Sequence, residues 1–295
     1  MIPAQVKTED FLLFETRGRV AYLTFNRPQQ LNALSWPLME ALEQKLKQLE
    51  RDPKVGVIVL RGAGRCFSSG YDLHETDPTK MIKGEGPADG THEPKGVPEY
   101  GRSIWNSRAH VQGHINYDIA IWNLWKPVVA QVHGYALAGD STLALACDLT
   151  IMADDAKIGY PPKRWLATGD NIGIYSFLAG LKIAREMSYG RCLTGVRAAQ
   201  CGLATRSFPA EQLEEETYKI AAQIAEIDPQ LLMLNKMVVN RMWEMMGIRA
   251  AMEVSGEFDN LCHMSDTGRE LREAILRRDS LSEGLHEVNA PWGGI

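Results

Sequence analysis

The sequence predicts an α/β fold of repeated strand-strand-helix units, followed by a helical C-terminal region. Short β-branched and aromatic runs alternate with helical patterns over roughly the first 205 residues, with glycines at the turns. From about residue 210 onward, Ala, Glu, Leu, Met and Lys dominate, a composition that favours helix over strand. The 295 residues are enough to bury a full core without disulfides or metals.

The first 60 residues predict a hairpin, a helix and a buried strand. Residues 11–15 and 19–25 are rich in β-branched and aromatic side chains and are separated by a glycine, which is typical of paired strands. Ser35 suits the N-cap of a following helix, and Pro37 suits its first turn. The run at 55–60 is nearly continuous in apolar residues, as expected for a strand covered on both faces.

The same alternation returns between residues 128 and 153. Residues 128–132 predict a strand, residues 142–147 a helix and residues 149–153 another strand. The recurrence indicates that the fold is assembled from similar units rather than from one irregular core.

We divide the chain into a core of residues 1–205 and a helical region of residues 206–295. Within the core, residues 76–98 show almost no periodicity and contain repeated Pro and Gly. We interpret that stretch as a long mobile loop and a candidate lid.

Composition excludes several classes of function. The net charge of −5 with scattered Lys and Arg gives no basic stripe for nucleic acid. The N-terminus lacks the basic flank and apolar core of a secretory signal, and no apolar run approaches the ~20 residues that cross a bilayer. We therefore expect a soluble, cytoplasmic protein.

The five cysteines are odd in number and widely spaced, which predicts neither a disulfide framework nor a metal site: Cys66, Cys147, Cys192, Cys201 and Cys262.

The first glycine-rich segment, residues 61–73, follows the predicted buried strand. It is not a dinucleotide fingerprint, because Phe67 stands where a third glycine is required. Its small residues Ser68, Ser69 and Gly70 instead form a tight turn whose backbone N–H groups can approach a ligand closely. A turn without function remains an equal alternative at this point.

The second glycine-rich segment, residues 133–148, again leads from strand to helix. Gly139 lies just before a helix that Asp140 or Ser141 is placed to cap, so its amide carries the positive end of the helix dipole. Two such amides aimed at one thioester oxygen would stabilise an enolate, and losing one donor typically costs about 3 to 4 kcal/mol.

Several segments occur in an order that resembles the crotonase (enoyl-CoA hydratase/isomerase) superfamily, and the resemblance extends over most of residues 10–205. They include NRPQQLNAL, FSSGYDL, KPVVAQVHG and AGDSTLALACD, at residues 26–34, 67–73, 126–134 and 138–148. The resemblance implies a crotonase-like spiral fold and an acyl-CoA substrate, with no cofactor beyond the coenzyme A that the substrate carries. It also implies a homotrimer or a dimer of trimers with contacts through the C-terminal helices.

The resemblance also implies roles for individual residues. The oxyanion amides fall on Tyr71 and Gly139. The coenzyme A is expected along the backbone near four residues: Gln30, Leu31, Ser69 and Asp72.

The sequence departs from the hydratase pattern at both catalytic glutamates. Thr142 and Pro162 stand at those places, where they would still line the substrate site, but neither moves a proton at neutral pH. Asp170 lies eight residues after Pro162, where isomerase-like and dehalogenase-like members of the superfamily carry a working aspartate. The alternative for Asp170 is an unused helix N-cap.

Three further residues are candidates for proton transfer or substrate contact. Asp140 is either a helix cap or a base beside the thioester. His114 shares a helix face with Asn106, His110 and Tyr117 and is either catalytic or a plain polar residue. His74 follows the first glycine-rich turn and is expected to reach the acyl pocket.

Our leading hypothesis is an enzyme that forms a thioester enolate, with Asp170 moving a proton in an isomerisation or atypical hydration. A bulky acyl group is expected from four tryptophans: Trp105, Trp122, Trp125 and Trp165. A second hypothesis is hydrolysis or dehalogenation, with Asp170 as nucleophile or as base for water. The third is a non-catalytic homologue that binds coenzyme A, a protein or RNA.

Overall fold

The protein is seen here as a computed structural model that describes residues 11–72, 104–165, 167–169, 171–276, 278 and 281–292. Its main sheet has six strands in the order β1-β2-β3-β4-β6-β9, and a smaller sheet has the order β5-β7-β8. The strands are β1 Leu12–Arg17, β2 Val20–Phe25, β3 Val57–Gly62, β4 Val128–Val132, β5 Tyr135–Leu137, β6 Leu149–Ala153, β7 Lys157–Gly159, β8 Cys192–Thr194 and β9 Arg206–Phe208.

Ten helices surround these sheets in the described part of the chain. They are α1 Trp36–Glu50, α2 Ile104–Asn123, α3 Gly139–Ala146, α4 Gly173–Ser188, α5 Gly195–Gln200, α6 Leu213–Ala225, α7 Pro229–Met245, α8 Ile248–Met264, α9 Asp266–Leu276 and α10 Leu281–Asn289. No helix of the described residues is long and apolar enough to span a bilayer.

The centre of the main sheet is buried on both faces. β1 and β2 form the predicted hairpin, antiparallel, with Gly18 between them at a φ of +59°. Every later pairing in this sheet is parallel, and β4 has no exposed side chain. Parallel strands of this kind need cover on both sides, which explains why they are almost uniformly apolar.

Helix α1 begins as its sequence predicts. Ser35 Oγ accepts a hydrogen bond of 3.3 Å from Leu38 N–H, and a proline occupies the first turn. The apolar stripe of the helix is buried against the sheet: Leu38, Leu42, Leu46 and Leu49.

The C-terminal helices begin with one that belongs to the core. In α6, Ala221 and Ala225 are buried, and a methyl group added at Gly56 would lie 2.8 Å from Cβ of Ala225. Close packing between the start of β3 and α6 therefore depends on this glycine. Helices α7 and α8 follow and leave many apolar side chains exposed.

The observed architecture confirms the predicted fold class, with β4 and β6 at their predicted bounds. One local prediction was wrong, because Ala138 occupies the N-cap of α3 and neither Asp140 nor Ser141 caps the helix. The proposed lid at 76–98 lies outside the described residues, and the division of the chain at residue 205 stays a prediction.

Candidate active site

The loop at residues 68–72, called here the 68–72 loop, lies between the 31–34 segment and β5. Leu34 N–H donates to Gly70 C=O at 2.8 Å, and Asp72 N–H donates to Leu34 C=O at 2.9 Å. On its other side, Leu137 N–H donates to Ser68 C=O at 3.2 Å. Since this parallel pairing uses Gly70 C=O and Asp72 N–H, the N–H of the intervening Tyr71 points away from Leu34.

The 31–34 segment is shaped by Asn32. Leu31 and Asn32 both have positive φ values, of 51° and 55°, which an asparagine adopts more readily than most residues. The buried Asn32 side chain donates to Ala63 C=O at 2.8 Å and to Cys66 C=O at 2.9 Å. It therefore ties this segment to the turn that leads into the 68–72 loop.

Asp72 closes the loop through an ion pair. Its Oδ2 lies 2.7 Å from Arg27 Nη2, and both side chains are largely buried. The same guanidinium donates to Ala33 C=O at 2.6 Å. The Asp72 carboxylate is therefore engaged by Arg27, and the role in coenzyme A binding expected for this residue stays a prediction.

The second loop is the turn at Ala138 and Gly139, called here the 138–139 turn. Ala138 has a φ of 52°, a strained value for a residue with a side chain. Gly139 is the first residue of α3, so its N–H is among those that a helix leaves unsatisfied, and no described group accepts from it. A methyl group at Gly70 would lie 2.6 Å from Cβ of Ala138, which shows how closely the two loops approach.

The Tyr71 ring lies directly over Gly139. A methyl group added at Gly139 would be 2.1 Å from Cζ of Tyr71 and 2.5 Å from its Oη. The two residues that the resemblance assigns to the oxyanion hole are therefore side by side.

Helix α2 supplies the aromatic wall beside them. The His114 ring stacks on Tyr71 with 3.7 Å between centroids and on Trp36 with 5.3 Å. His110 contacts the edges of Trp36 and His114. Burial lowers the pKa of His114 to about 3, despite the opposing effect of Asp259, so the imidazole is neutral at physiological pH.

Asp140 connects the two loops instead of capping its helix. Its Oδ2 contacts Ser68 Oγ and accepts from Gly70 N–H at 2.9 Å. The side chain is fully buried, and within the described part of the chain its Oδ1 has no hydrogen-bond partner. Burial raises the pKa of this carboxyl well above its ordinary value; the bonds from Ser68 and Gly70 oppose the shift, and Asp118 adds to it.

The resemblance places Thr142 and Pro162 at the two hydratase glutamate positions, and that assignment stays a prediction. Thr142 is fully buried, and its Oγ1 donates to Gly139 C=O at 2.8 Å within the first turn of α3. Pro162 lies in a short 3-10 helix, Pro161–Arg164.

Two buried carboxylates hold the chain on either side of position 170. Asp259 Oδ1, on α8, accepts from Gly169 N–H at 2.7 Å and from Thr168 Oγ1 at 3.2 Å. Asp118 Oδ2, on α2, accepts from Asn171 Nδ2 at 2.6 Å. Asp170 itself and His74 lie outside the described residues, so the roles predicted for them stay predictions.

Lys163 lies near the same region. Burial lowers its pKa to about 8, although the charge of Asp259 opposes the shift. Its Nζ is 5.4 Å from the centroid of the Tyr175 ring and 5.9 Å from that of Tyr160. An ammonium group with this pKa is a proton donor or acceptor close to neutral pH.

The tryptophans that were expected to shape the acyl pocket are dispersed. Trp122 donates to Glu244 Oε1 at 3.2 Å and, with the exposed Trp125, lines a pocket of about 590 Å³ between the end of α2 and helices α7 and α8. Trp165 is buried, and its indole N–H has no partner among the described residues. The Trp105 side chain is not described. A fifth tryptophan, Trp36, stacks on His114, which in turn stacks on Tyr71. The sequence does not predict this contact.

Three residues that organise this site are not predicted by the sequence to do so: Ser68, Asp118 and Asp259. Ser68 is expected only as a small residue in a turn. The partners of these three residues lie 72, 53 and 90 residues away, respectively. A local pattern carries no information at that separation.

The fold and the site together define a class: a mixed α/β protein with a largely parallel central sheet, in which two glycine-containing loops, at 68–72 and 138–139, lie against each other. Comparison with known proteins places the chain more closely. A family model described as enoyl-CoA hydratase/isomerase matches residues 20–245. The chain belongs to this family, and it is an acyl-CoA enzyme of the crotonase superfamily.

Relatives and solved structures agree. A probable enoyl-CoA hydratase of Rhizobium meliloti (strain 1021) is 32% identical over 237 residues, 79% of this chain and 82% of the relative. A hydroxycinnamoyl-CoA hydratase-lyase of Pseudomonas fluorescens is 29% identical over 229 residues, 74% of each chain. The crystal structure of an enoyl-CoA hydratase from Mycobacterium smegmatis is similar with a TM-score of 0.82 and 27% identity, covering 98% of this chain and 97% of that one.

Proposed function

We propose that this enzyme converts a bulky acyl-CoA by isomerisation or atypical hydration through a thioester enolate. The N–H groups of Tyr71 and Gly139 bind the thioester oxygen. The observation that carries the proposal is the contact between these two residues, since the Tyr71 ring lies against the α-carbon of Gly139. Two backbone donors on converging loops, one of them at a helix start, stabilise developing negative charge on oxygen.

The proton is moved by a residue other than the two missing glutamates, and we assign this role to Asp170. The flanking residues support the assignment, because Asp259 fixes Gly169 and Asp118 fixes Asn171. Chain segments held on both sides by buried hydrogen bonds provide the rigid support that a catalytic group requires. His114 is a poor alternative base, since a pKa of about 3 leaves it with little affinity for a proton.

The acyl group is proposed to be large and flat, packing against the wall formed by Trp36, His114 and Tyr71. Their stacked rings offer an apolar surface that suits an aromatic or extended acyl chain. The relative in Pseudomonas fluorescens that is named as a hydroxycinnamoyl-CoA hydratase-lyase lends support to an aromatic acyl group. The coenzyme A is proposed to run along the backbone at Gln30, Leu31, Ser69 and Asp72.

We further propose that the chain assembles as a homotrimer or a dimer of trimers through α7 and α8. These helices expose large apolar side chains, with Met245 88% and Phe258 62% exposed. An apolar surface of this extent is typical of subunit contacts. Light scattering on the purified protein at several concentrations tests the assembly, and a monomer at every concentration would exclude it.

The activity is tested with a panel of saturated, 2-enoyl, 3-enoyl, dienoyl and aromatic acyl-CoAs in heavy water, read by mass spectrometry. We expect deuterium uptake next to the thioester, a shifted double bond or addition of water with at least one bulky member. Asp170→Asn should abolish the reaction, while Asp155→Asn, a change at an exposed residue, should leave it intact.

The other outcomes of the panel separate the alternatives. Release of free coenzyme A or of halide, abolished by the same Asp170 variant, would indicate the hydrolase or dehalogenase reaction instead. Binding of acyl-CoAs without exchange or product across the panel would indicate a binding protein and overturn the proposal.

A further inference from the structure

We propose that Asp140 is a positioning residue that fixes the 68–72 loop against the 138–139 turn as a neutral carboxyl group. In this arrangement it donates a hydrogen bond to Ser68 Oγ and accepts one from Gly70 N–H. The kinetic consequence of this inference rests on the function proposed above. The charge state of the carboxyl group does not depend on that function.

Counting hydrogens around Ser68 gives the first reason. Its Oγ contacts two oxygen atoms, Asn32 C=O at 2.8 Å and Asp140 Oδ2. A serine hydroxyl has one hydrogen and can donate to only one of them. The Asn32 carbonyl has no hydrogen to give, whereas a protonated Asp140 has one. With a neutral Asp140, each oxygen-oxygen contact contains a hydrogen; with an ionised Asp140, one contact has none.

The second oxygen of Asp140 gives an independent reason. Oδ1 is buried and has no hydrogen-bond partner among the residues that the structure describes. A carboxylate spreads its charge over both oxygens, so a buried and unpaired Oδ1 is costly in the ionised form. As the carbonyl oxygen of a neutral acid, the same atom costs far less to bury.

The titratable groups that act on this carboxyl in the described part of the chain favour the neutral form. Asp118 approaches from α2 and Cys66 precedes the 68–72 loop. Neither is a cation. The hydrogen bonds that Ser68 and Gly70 would donate to an ionised carboxylate oppose protonation, but burial outweighs them and raises the pKa of Asp140.

The position of Asp140 links this bond network to the reaction. Asp140 directly follows Gly139, and its partner Gly70 directly precedes Tyr71. One side chain therefore sets the spacing between the two amides that bind the thioester oxygen. Misplacing a reacting group by about 1 Å can cost about a hundredfold in rate.

An asparagine at this position distinguishes the two charge states. A neutral carboxyl O–H both donates to Ser68 and accepts from Gly70 through the same oxygen, whereas an amide nitrogen only donates and an amide oxygen only accepts. Asp140→Asn therefore loses one of the two bonds if the native carboxyl is neutral. If the native carboxyl is ionised, the amide oxygen accepts both bonds, and the variant bears only the cost of its unpaired NH2 at the buried Oδ1 position, which it bears in either case.

Infrared spectroscopy tests the charge state without substrate. Protein labelled with isotopic carbon at the aspartate side-chain carboxyl is compared with Asp140→Asn, Ser68→Ala and Asp155→Asn, all at neutral pH. We expect a carboxylic-acid C=O band in the wild type and in Asp155→Asn, a shifted band in Ser68→Ala and its loss in Asp140→Asn. If the wild type and Asp140→Asn show no difference in carboxylic-acid absorption, the proposal is overturned. Ser68→Ala keeps the test decisive if Asp140→Asn does not fold.

Kinetics with the acyl-CoA identified by the panel tests the positioning role. We expect Asp140→Asn to lower kcat by about tenfold to a hundredfold with KM changed by less than about threefold, since binding contacts remain and only the amide geometry shifts. A kcat within about twofold of the wild type would overturn the positioning role. If no acyl-CoA reacts, the infrared result still decides the charge of Asp140, and the failure belongs to the proposed function.

Discussion

The ring of Tyr71 occupies the space that any side chain at position 139 would need. A methyl group on Gly139 would lie 2.1 Å from Cζ and 2.3 Å from Cε2 of that ring. The ring is itself fixed from behind, because it stacks on His114 at 3.7 Å. The neighbouring loop therefore requires a glycine at position 139.

Gly139→Ala is expected to displace the ring or the turn, because overpacking a rigid core costs about 1 to 3 kcal/mol. Loss of the amide geometry should also lower kcat by about a hundredfold or more. Urea unfolding and turnover of the single variant measure both effects.

A double variant shows whether the clash is the cause. Tyr71→Ala removes the ring, so Gly139→Ala should cost less in that background than in the wild type. If Gly139→Ala lowers the free energy of unfolding equally in both backgrounds, the two changes are additive. The ring would then not be what the new methyl group meets.

His114 is expected to make the protein less stable in acid. Its folded pKa of about 3 is below the ordinary value of 6.5, so between these pH values the unfolded chain binds a proton that the folded chain does not. The contribution is complete above pH 6.5 and is lost as the pH falls. Relative to His114→Phe, the wild type should lose about 1.4 kcal/mol of unfolding free energy per pH unit.

Urea unfolding at pH 7, 5.5 and 4.5 measures this difference, with His286→Gln, at an exposed position, as the control. His114→Phe keeps a flat ring between Trp36 and Tyr71, so we also expect its kcat at neutral pH to stay within about threefold. A pH-independent gap between the two proteins would mean that the imidazole titrates normally. A large loss of kcat would restore His114 as a candidate catalytic group.

The sequence predicted those features that depend on neighbouring residues. The cap at Ser35 depends on a side chain three residues from its partner, and the bounds of β4 depend on a short run that is apolar except for Gln131. The cap predicted for α3 was wrong because it also relied on the local pattern. Asp140 suits a cap locally, yet its real partner is Ser68, 72 residues earlier, and the folded chain brings the two together. The family motifs point to Tyr71 and Gly139 as a pair, and the structure shows that these two residues are in contact.

Asp259 is expected to support both stability and turnover. Asp259→Ala removes the acceptor of Gly169 N–H and leaves that buried donor unpaired, at a cost of about 1 to 3 kcal/mol. It also frees the chain next to position 170, so kcat should fall more than KM changes. Asp259→Asn, whose amide oxygen can still accept the bond, should lose less stability and less kcat.

Thermal unfolding and turnover of the two variants, compared with those of Asp155→Ala, test this prediction. Equal losses in the alanine and asparagine variants would contradict the role of the Gly169 bond.

Asp140 is expected to give the protein a pH dependence opposite in sign to that of His114. Its carboxyl has a raised pKa in the folded chain and an ordinary value near 3.8 when unfolded. Above that value the unfolded chain releases a proton that the folded chain retains. The stabilising contribution is therefore complete below the unfolded pKa and declines as the pH rises toward the folded pKa.

Asp140→Asn removes this titration. As the pH rises above the unfolded pKa, the free energy of unfolding of the wild type should fall relative to that of the variant, by at most about 1.4 kcal/mol for each pH unit. Urea unfolding between about pH 5 and 7 measures the slope, with Asp155→Asn expected to follow the wild type because its side chain is exposed. A constant difference between wild type and Asp140→Asn would mean that the carboxyl is already ionised in the folded protein at pH 5. The link between the two loops would then have to rest on a buried carboxylate that accepts both bonds.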